Sequence, residues 1–197
     1  MSIHWGGRGP GHGGRKSALD WFTLQSGNLV TNPDAFDAAS WTKTELPITA
    51  NNAVAPDSTT TMDLAVPSAV SGLHVAYSNV AAIAGPVTIT LYAKASGYSK
   101  LGIRESNVAG SYATYNLAGS VIESGNAGGY TVTNTAITLV APGIYRCSLL
   151  LTPPGSASIN IGIYVLPDTY TTGNPNDVGW AGDAVKGVLF WRAQFYP

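Results

Sequence analysis

From residue 60 onward, apolar side chains recur at every second position. Val87, Ile89 and Leu91 alternate with Thr88, Thr90 and Tyr92, while Ile159, Ile161, Ile163 and Val165 alternate with Ser158, Asn160, Gly162 and Tyr164. Tyr145, Cys147, Leu149 and Leu151 keep the same spacing. A period of two puts successive side chains on opposite faces, so each run predicts a strand with one buried face. Weaker strands are expected near 60–66, 73–78, 100–105, 112–117, 130–140 and 187–195. Turn formers punctuate them, among them Ala84-Gly85-Pro86, Ala141-Pro142-Gly143, Pro153-Pro154-Gly155 and Gly173-Asn174-Pro175-Asn176. Eight or nine short strands at this spacing predict an all-β, antiparallel sandwich, with a jelly roll as the expected form. The only helical candidate is short, Ala35 to Trp41, at most two turns. The last strand, Val188 to Phe195, is apolar on both faces. Either it is central and overlain by the N-terminal segment, or its outer face meets another subunit.

The first sixteen residues break the pattern. They read MSIHWGGRGPGHGGRK, with glycine at six positions, three cationic side chains and no acid. Such a stretch buries too little apolar surface to offset the entropy of ordering it. A flexible basic arm over 1–16 is therefore expected, then a connecting anchor segment over 17–27 and the sandwich over 28–197. Trp5, Arg8, Arg15 and Lys16 in the arm, with Trp21 and Phe22 in the anchor, are the candidate contacts to a larger partner.

Charge is otherwise sparse. The 197 residues carry ten basic and eleven acidic side chains, and seven of the basic ones lie beyond the arm, leaving residues 17–197 at −4. The basic character is thus local, and three charges neutralise only about three phosphates, so no nucleic-acid partner is expected. Charged residues are 11% of the chain, against about 25% in ordinary globular proteins. A surface so poor in charge points to partial cover by symmetric copies, a homo-oligomer. No run of about 18 apolar residues predicts a membrane span, and no membrane insertion is expected.

Candidate chemistry is thin. His4 and His12 sit among glycines, and His74 alternates with apolar neighbours in a way that turns it toward solvent or an interface. No nucleophile elbow or phosphate loop is present. Glu45, Glu105 and Glu123 are the only glutamates; none suggests a catalytic pair, and Glu105 is explained by a surface ion pair with Arg104. Cys147 reads as a core thiol. No catalytic residue is expected, and the chain reads as a non-enzyme. Carbohydrate sites use aromatic faces rimmed by amides and carboxylates, and Trp180, in a loop, with Tyr164 and Tyr92, which point away from the apolar face of their strands, are the candidate glycan contacts.

Five stretches in order carry a resemblance: NLVTNPDAFDAASWTKTE from Asn28, AVAPDSTTTMDL over 53–64, GPVTITLYAKASGYSKLGIRES over 85–106, GIYRCSLLL over 143–151 and GDAVKGVLFWRAQF over 182–195. Together they resemble the jelly-roll module of bacteriophage tail, fibre and virion-surface proteins, similar in fold to carbohydrate-binding modules. The resemblance implies a non-enzymatic structural subunit of a virion, a surface decoration or spike made in the host cytoplasm and docked through its arm to a capsid or tail protein. The alternative it implies is an adhesin for a host glycan. Jelly rolls of this kind sometimes hold calcium, for which Asp57, Asp63 and Asp183 would be ligands, but ordinary turn-forming aspartates are the preferred reading and no cofactor is expected. Arg192 departs from the pattern, which has a small residue after the tryptophan, and could mark a contact particular to this chain.

Overall fold

The computed structural model describes residues 27–107 and 110–197. The arm, the anchor segment and their candidate docking residues Trp5, Arg8, Arg15, Lys16, Trp21 and Phe22 lie outside the described residues, as do His4 and His12.

The chain forms an all-β jelly-roll sandwich. Its strands are β1 (Thr42–Thr44), β2 (Ile48–Val54), β3 (Thr60–Ala65), β4 (Val75–Ile83), β5 (Val87–Ser96), β6 (Lys100–Glu105), β7 (Tyr112–Asn116), β8 (Ser120–Gly125), β9 (Thr131–Ala141), β10 (Ile144–Thr152), β11 (Ala157–Leu166) and β12 (Gly187–Tyr196). One six-stranded sheet runs β1-β4-β11-β6-β7-β8 and the other β2-β3-β12-β5-β10-β9. Every pairing between named strands is antiparallel. The chain changes sheet repeatedly, at β1 to β2, β3 to β4, β4 to β5, β5 to β6, β8 to β9, β10 to β11 and β11 to β12. These crossings are what wrap a sandwich into a jelly roll rather than a stack of meanders.

The alternating residues meet between the sheets. Val87, Ile89 and Leu91 of β5, Cys147, Leu149 and Leu151 of β10, and Ile159, Ile161, Ile163 and Val165 of β11 share one core with Leu101, Ile103 and Phe190. Strand β12 is central in its sheet, between β3 and β5. That explains its two apolar faces: Val188 and Phe190 enter the main core, and Leu189 and Trp191 join Met62, Tyr92 and Ile144 in a second cluster. A bulge between Trp191 and Gln194 then resets the alternation, so Ala193 and Phe195 face the main core again. Arg192 sits at that bulge with φ 49°. Its guanidinium is absorbed within the chain, 3.1 Å from Asp34, 3.5 Å from Asp57 and stacked 4.1 Å from the Trp191 ring centroid.

Three expectations of local structure need correction. Ala35–Trp41 is a run of turns and not a helix. The Phe36 amide donates to the Asp63 carboxylate at 2.7 Å instead of to a helical carbonyl, and the Phe36 and Trp41 rings, 4.6 Å apart, both turn into the core. Strands β1, β2 and β8 had no apolar alternation to reveal them. They are sheet edges, packed on one side only, and their residues are largely exposed or half-buried. His74 is buried, with Nδ1 2.6 Å from the Glu45 carbonyl and Nε2 2.9 Å from the Trp180 carbonyl, so it pins two loops together.

Candidate functional site

The outer face of the β1-β4-β11-β6-β7-β8 sheet is where polar and aromatic side chains gather. Strand register aligns Tyr77, Gly162, Arg104, Tyr112 and Gly125 in one row across β4, β11, β6, β7 and β8. The next row holds Val75, Tyr164, Gly102, Thr114 and Glu123. Two of the glycines are hollows that rings occupy. A Cβ on Gly162 would lie 2.6 Å from the Tyr164 ring and 3.0 Å from the Tyr77 ring, and one on Gly125 would lie 2.5 Å from the Tyr112 ring. Absence of a side chain there lets the phenols lie against the sheet.

The segment 167–178 folds over part of this face. It makes one 3₁₀ turn, Pro175–Asp177, capped by the Asn174 side chain, and Pro175 sits over Gly102. Glu123 fastens it. The carboxylate accepts hydrogen bonds from Tyr112 (3.1 Å), Tyr170 (3.1 Å), Thr172 (2.6 Å) and the Gly173 amide. Partial burial works to raise the Glu123 pKa, but these donors together outweigh it and leave the group below its ordinary value. Tyr170 and Tyr112 are pushed up, by burial first, so both phenols stay protonated donors.

Beside the segment, Tyr77, Arg104, Tyr112 and Asn160 remain half-buried, and Asn176 is exposed. The Tyr77 and Tyr164 rings meet edge to face at 6.2 Å. Around the Tyr164 hydroxyl lie Asn176 Oδ1 and Ser106 Oγ, each at 3.3 Å. Burial, and then the hydrogen bond with Tyr164, raise the Tyr77 pKa, while the charge of Arg104 works against both. Two atoms of this surface, Arg104 Nε and Asn160 Oδ1, are buried with no hydrogen-bond partner. A buried polar atom without a partner costs about 1–3 kcal/mol, and here a donor and an acceptor on the same face both lack one within the chain.

The three aromatic residues singled out in the sequence fall in three places. Tyr164 belongs to this face, but it is buried beneath its neighbours, with its hydroxyl among Tyr77, Ser106 and Asn176. Tyr92 does point away from the main core, yet it is buried edge to face against Trp191, 5.1 Å between centroids, and presents no ring to a sugar. Trp180 is half-buried between His74 and Tyr98, at 4.7 and 4.9 Å, and packs on the main core. It is a core residue carried by a loop. The aspartates weighed for calcium are held separately: Asp63, buried in β3, accepts the Phe36 and Asn51 amides; Asp57 pairs with Arg192; and Asp183 accepts the Val185 and Lys186 amides. Among the described residues, no group of three or more His, Cys, Asp or Glu side chains is placed to hold a metal. Glu105 is buried and not on the surface; adjacent to Arg104 in β6, it points to the opposite face and accepts the Asn107 amide.

Tyr77, Arg104, Asn160 and Asn176 are not among the candidates that the sequence offers. The signal that could have found them is the pairing of outward positions across strands, with glycines between tyrosines, and it needs the register.

No protein-family model matches the chain, and no curated protein matches it in sequence. Among solved structures it is similar to the enzymatically active domain of tailspike protein 4 of bacteriophage CBA120, at 14% identity and a TM-score of 0.47, over 86% of this chain and 21% of that one. It is also similar to the CBM22-1 and GH10 modules of Clostridium thermocellum endo-1,4-β-D-xylanase 10B, solved with xylohexaose, at 12% identity and a TM-score of 0.41, over 87% of this chain and 28% of that one. The chain thus spans under a third of the length of either. Among the described residues no helix is long and apolar enough to cross a membrane.

Proposed function

We propose that this chain is a non-catalytic glycan-binding sandwich whose ligand lies on the outer face of the β1-β4-β11-β6-β7-β8 sheet, beside segment 167–178. The observation that carries the reading is the outer-face row of Tyr77, Arg104 and Tyr112, with Arg104 Nε and Asn160 Oδ1 lacking partners within the chain. Sugars present hydroxyls that both donate and accept, and an apolar ring face that packs on aromatic side chains. This surface supplies a donor, an acceptor, phenols and the amide of Asn176. It supplies no pair of carboxylates free to act as acid and base, since Glu123 is engaged by its donors. A broad glycan array, followed by titration of the best sugar, tests it. Tyr77→Ala and Asn160→Ala are expected to weaken binding about tenfold or more with the melting temperature nearly unchanged, whereas Trp180→Ala lowers the melting temperature. A blank array, or binding untouched by both substitutions, refutes the reading.

A second role, compatible with the first, is favoured by the arm. Its glycines and three cations, set against a body of −4, suit a tether that orders on a larger partner. On this reading the chain is a virion-surface subunit bound to a capsid or tail protein. Full-length protein should pellet with virions and residues 17–197 should not; equal pelleting of the two refutes it.

A further inference from the structure

We propose that the ligand of this face is an acidic glycan, one bearing a carboxylate on the sugar, and that Arg104 is the residue that selects it. The inference rests on the glycan reading above and adds the class of sugar.

Arg104 occupies the middle of the row, with Gly162 on one side and Tyr112 on the other. It is half-buried, its Nε is buried and unpartnered, and among the described residues it enters no ion pair. Gly110 closes over it without a side chain; a Cβ there would lie 2.4 Å from Nη2. Arg192 shows the usual arrangement in the same molecule, a half-buried guanidinium answered by Asp34 and Asp57. The acids near Arg104 do not play that part. Glu105 points to the other face, and Glu123 is turned to Tyr112, Tyr170, Thr172 and Gly173. Asp177, in the covering segment, forms no ion pair with Arg104. A partly desolvated cation without a counter-charge is costly, and a guanidinium makes its strongest hydrogen bonds to a carboxylate. Asn160 Oδ1 would then accept a sugar hydroxyl, with Tyr77 alongside. A neutral sugar could use the phenols and the amide, but it would leave the charge of Arg104 unanswered.

The experiment compares matched pairs that differ in one group: oligoglucuronate against the parent glucose oligomer, oligogalacturonate against its neutral parent, and sialylated against asialo oligosaccharides. Binding is read by titration calorimetry at low and at physiological salt. The wild-type chain should favour the acidic member of at least one pair tenfold or more, with the preference shrinking as salt rises. Arg104→Gln should abolish the preference, the acidic member losing more affinity than the neutral one, and Arg104→Lys should restore part of it. Neutral members bound as tightly as acidic ones in every pair, or a preference that survives Arg104→Gln, overturns the inference and leaves the glycan reading standing. Binding to no sugar of either kind overturns both. The wild-type comparison decides the matter even if a substitution at Arg104 disturbs the fold.

Discussion

Removing the Glu123 carboxylate tests how segment 167–178 is held to the sheet. The group, on β8, gathers four donors, one from β7 and three from the segment itself. In Glu123→Ala they fare differently. Thr172 is exposed and finds water. The Tyr170 hydroxyl still has the Gly173 carbonyl and Thr114. Tyr112 is half-buried, and the Gly173 amide loses the acceptor it has here. Taking the orphaned amide at about 1–2 kcal/mol and the remaining hydroxyls at a few tenths to about 1 kcal/mol each, the loss is about 2–3 kcal/mol. For a domain of this size that lowers Tm by about 4–10 °C. Glu123→Gln keeps one acceptor oxygen and should lose about half as much. The charge supplies a second check. Because the folded pKa lies below the ordinary 4.5, the stabilisation is complete above that value and disappears as pH falls through the folded pKa. Calorimetry at pH 7 and at a pH well below 4.5 should therefore show a narrower gap between wild type and Glu123→Ala at the lower pH. An equal gap at both, or none at pH 7, would refute the carboxylate as the fastening.

Two further outcomes follow from the structure. Cys147 is fully buried in the main core and burial pushes its thiol far up, so the native protein at pH 8 should leave a thiol reagent unreacted and urea should release one thiol per chain; rapid native labelling would contradict the packing. Arg192→Ala removes the contacts to Asp34, Asp57 and the Trp191 ring and should cost about 1–3 kcal/mol by urea unfolding, with no effect on sugar binding because it belongs to the other sheet.

The buried framework was legible in the sequence because burial leaves a period. Ile159 to Val165 alternate for the physical reason that alternate residues touch the core, and their strand lies where expected. The edges β1, β2 and β8 were not legible, since a strand packed on one side needs no regular apolar face. Phe36 shows a local preference overridden: its amide is claimed by Asp63, 27 residues away. For the candidate site, outward-pointing Tyr164 was visible from its strand alone. Its partners Tyr77, Arg104 and Glu123 sit on three other strands, and a single sequence does not state which outward positions stand side by side. Trp180 stands in a loop, yet His74 and Tyr98 flank its ring, a contact that loop position alone does not reveal.

Asn28 ties the start of the described chain to the last strand. Its side chain accepts from the Phe195 amide and donates to the Ala193 carbonyl, and the Leu29 amide donates to the Phe195 carbonyl. A little further on, the Ala193 amide donates to the Pro33 carbonyl, so the two segments run in opposite directions. Tension applied between residue 27 and residue 197 would therefore unzip these bonds one after another instead of shearing them together. The mechanical weak point of the sandwich lies at this seam, and a load would peel the end of β12 away before it strained the core.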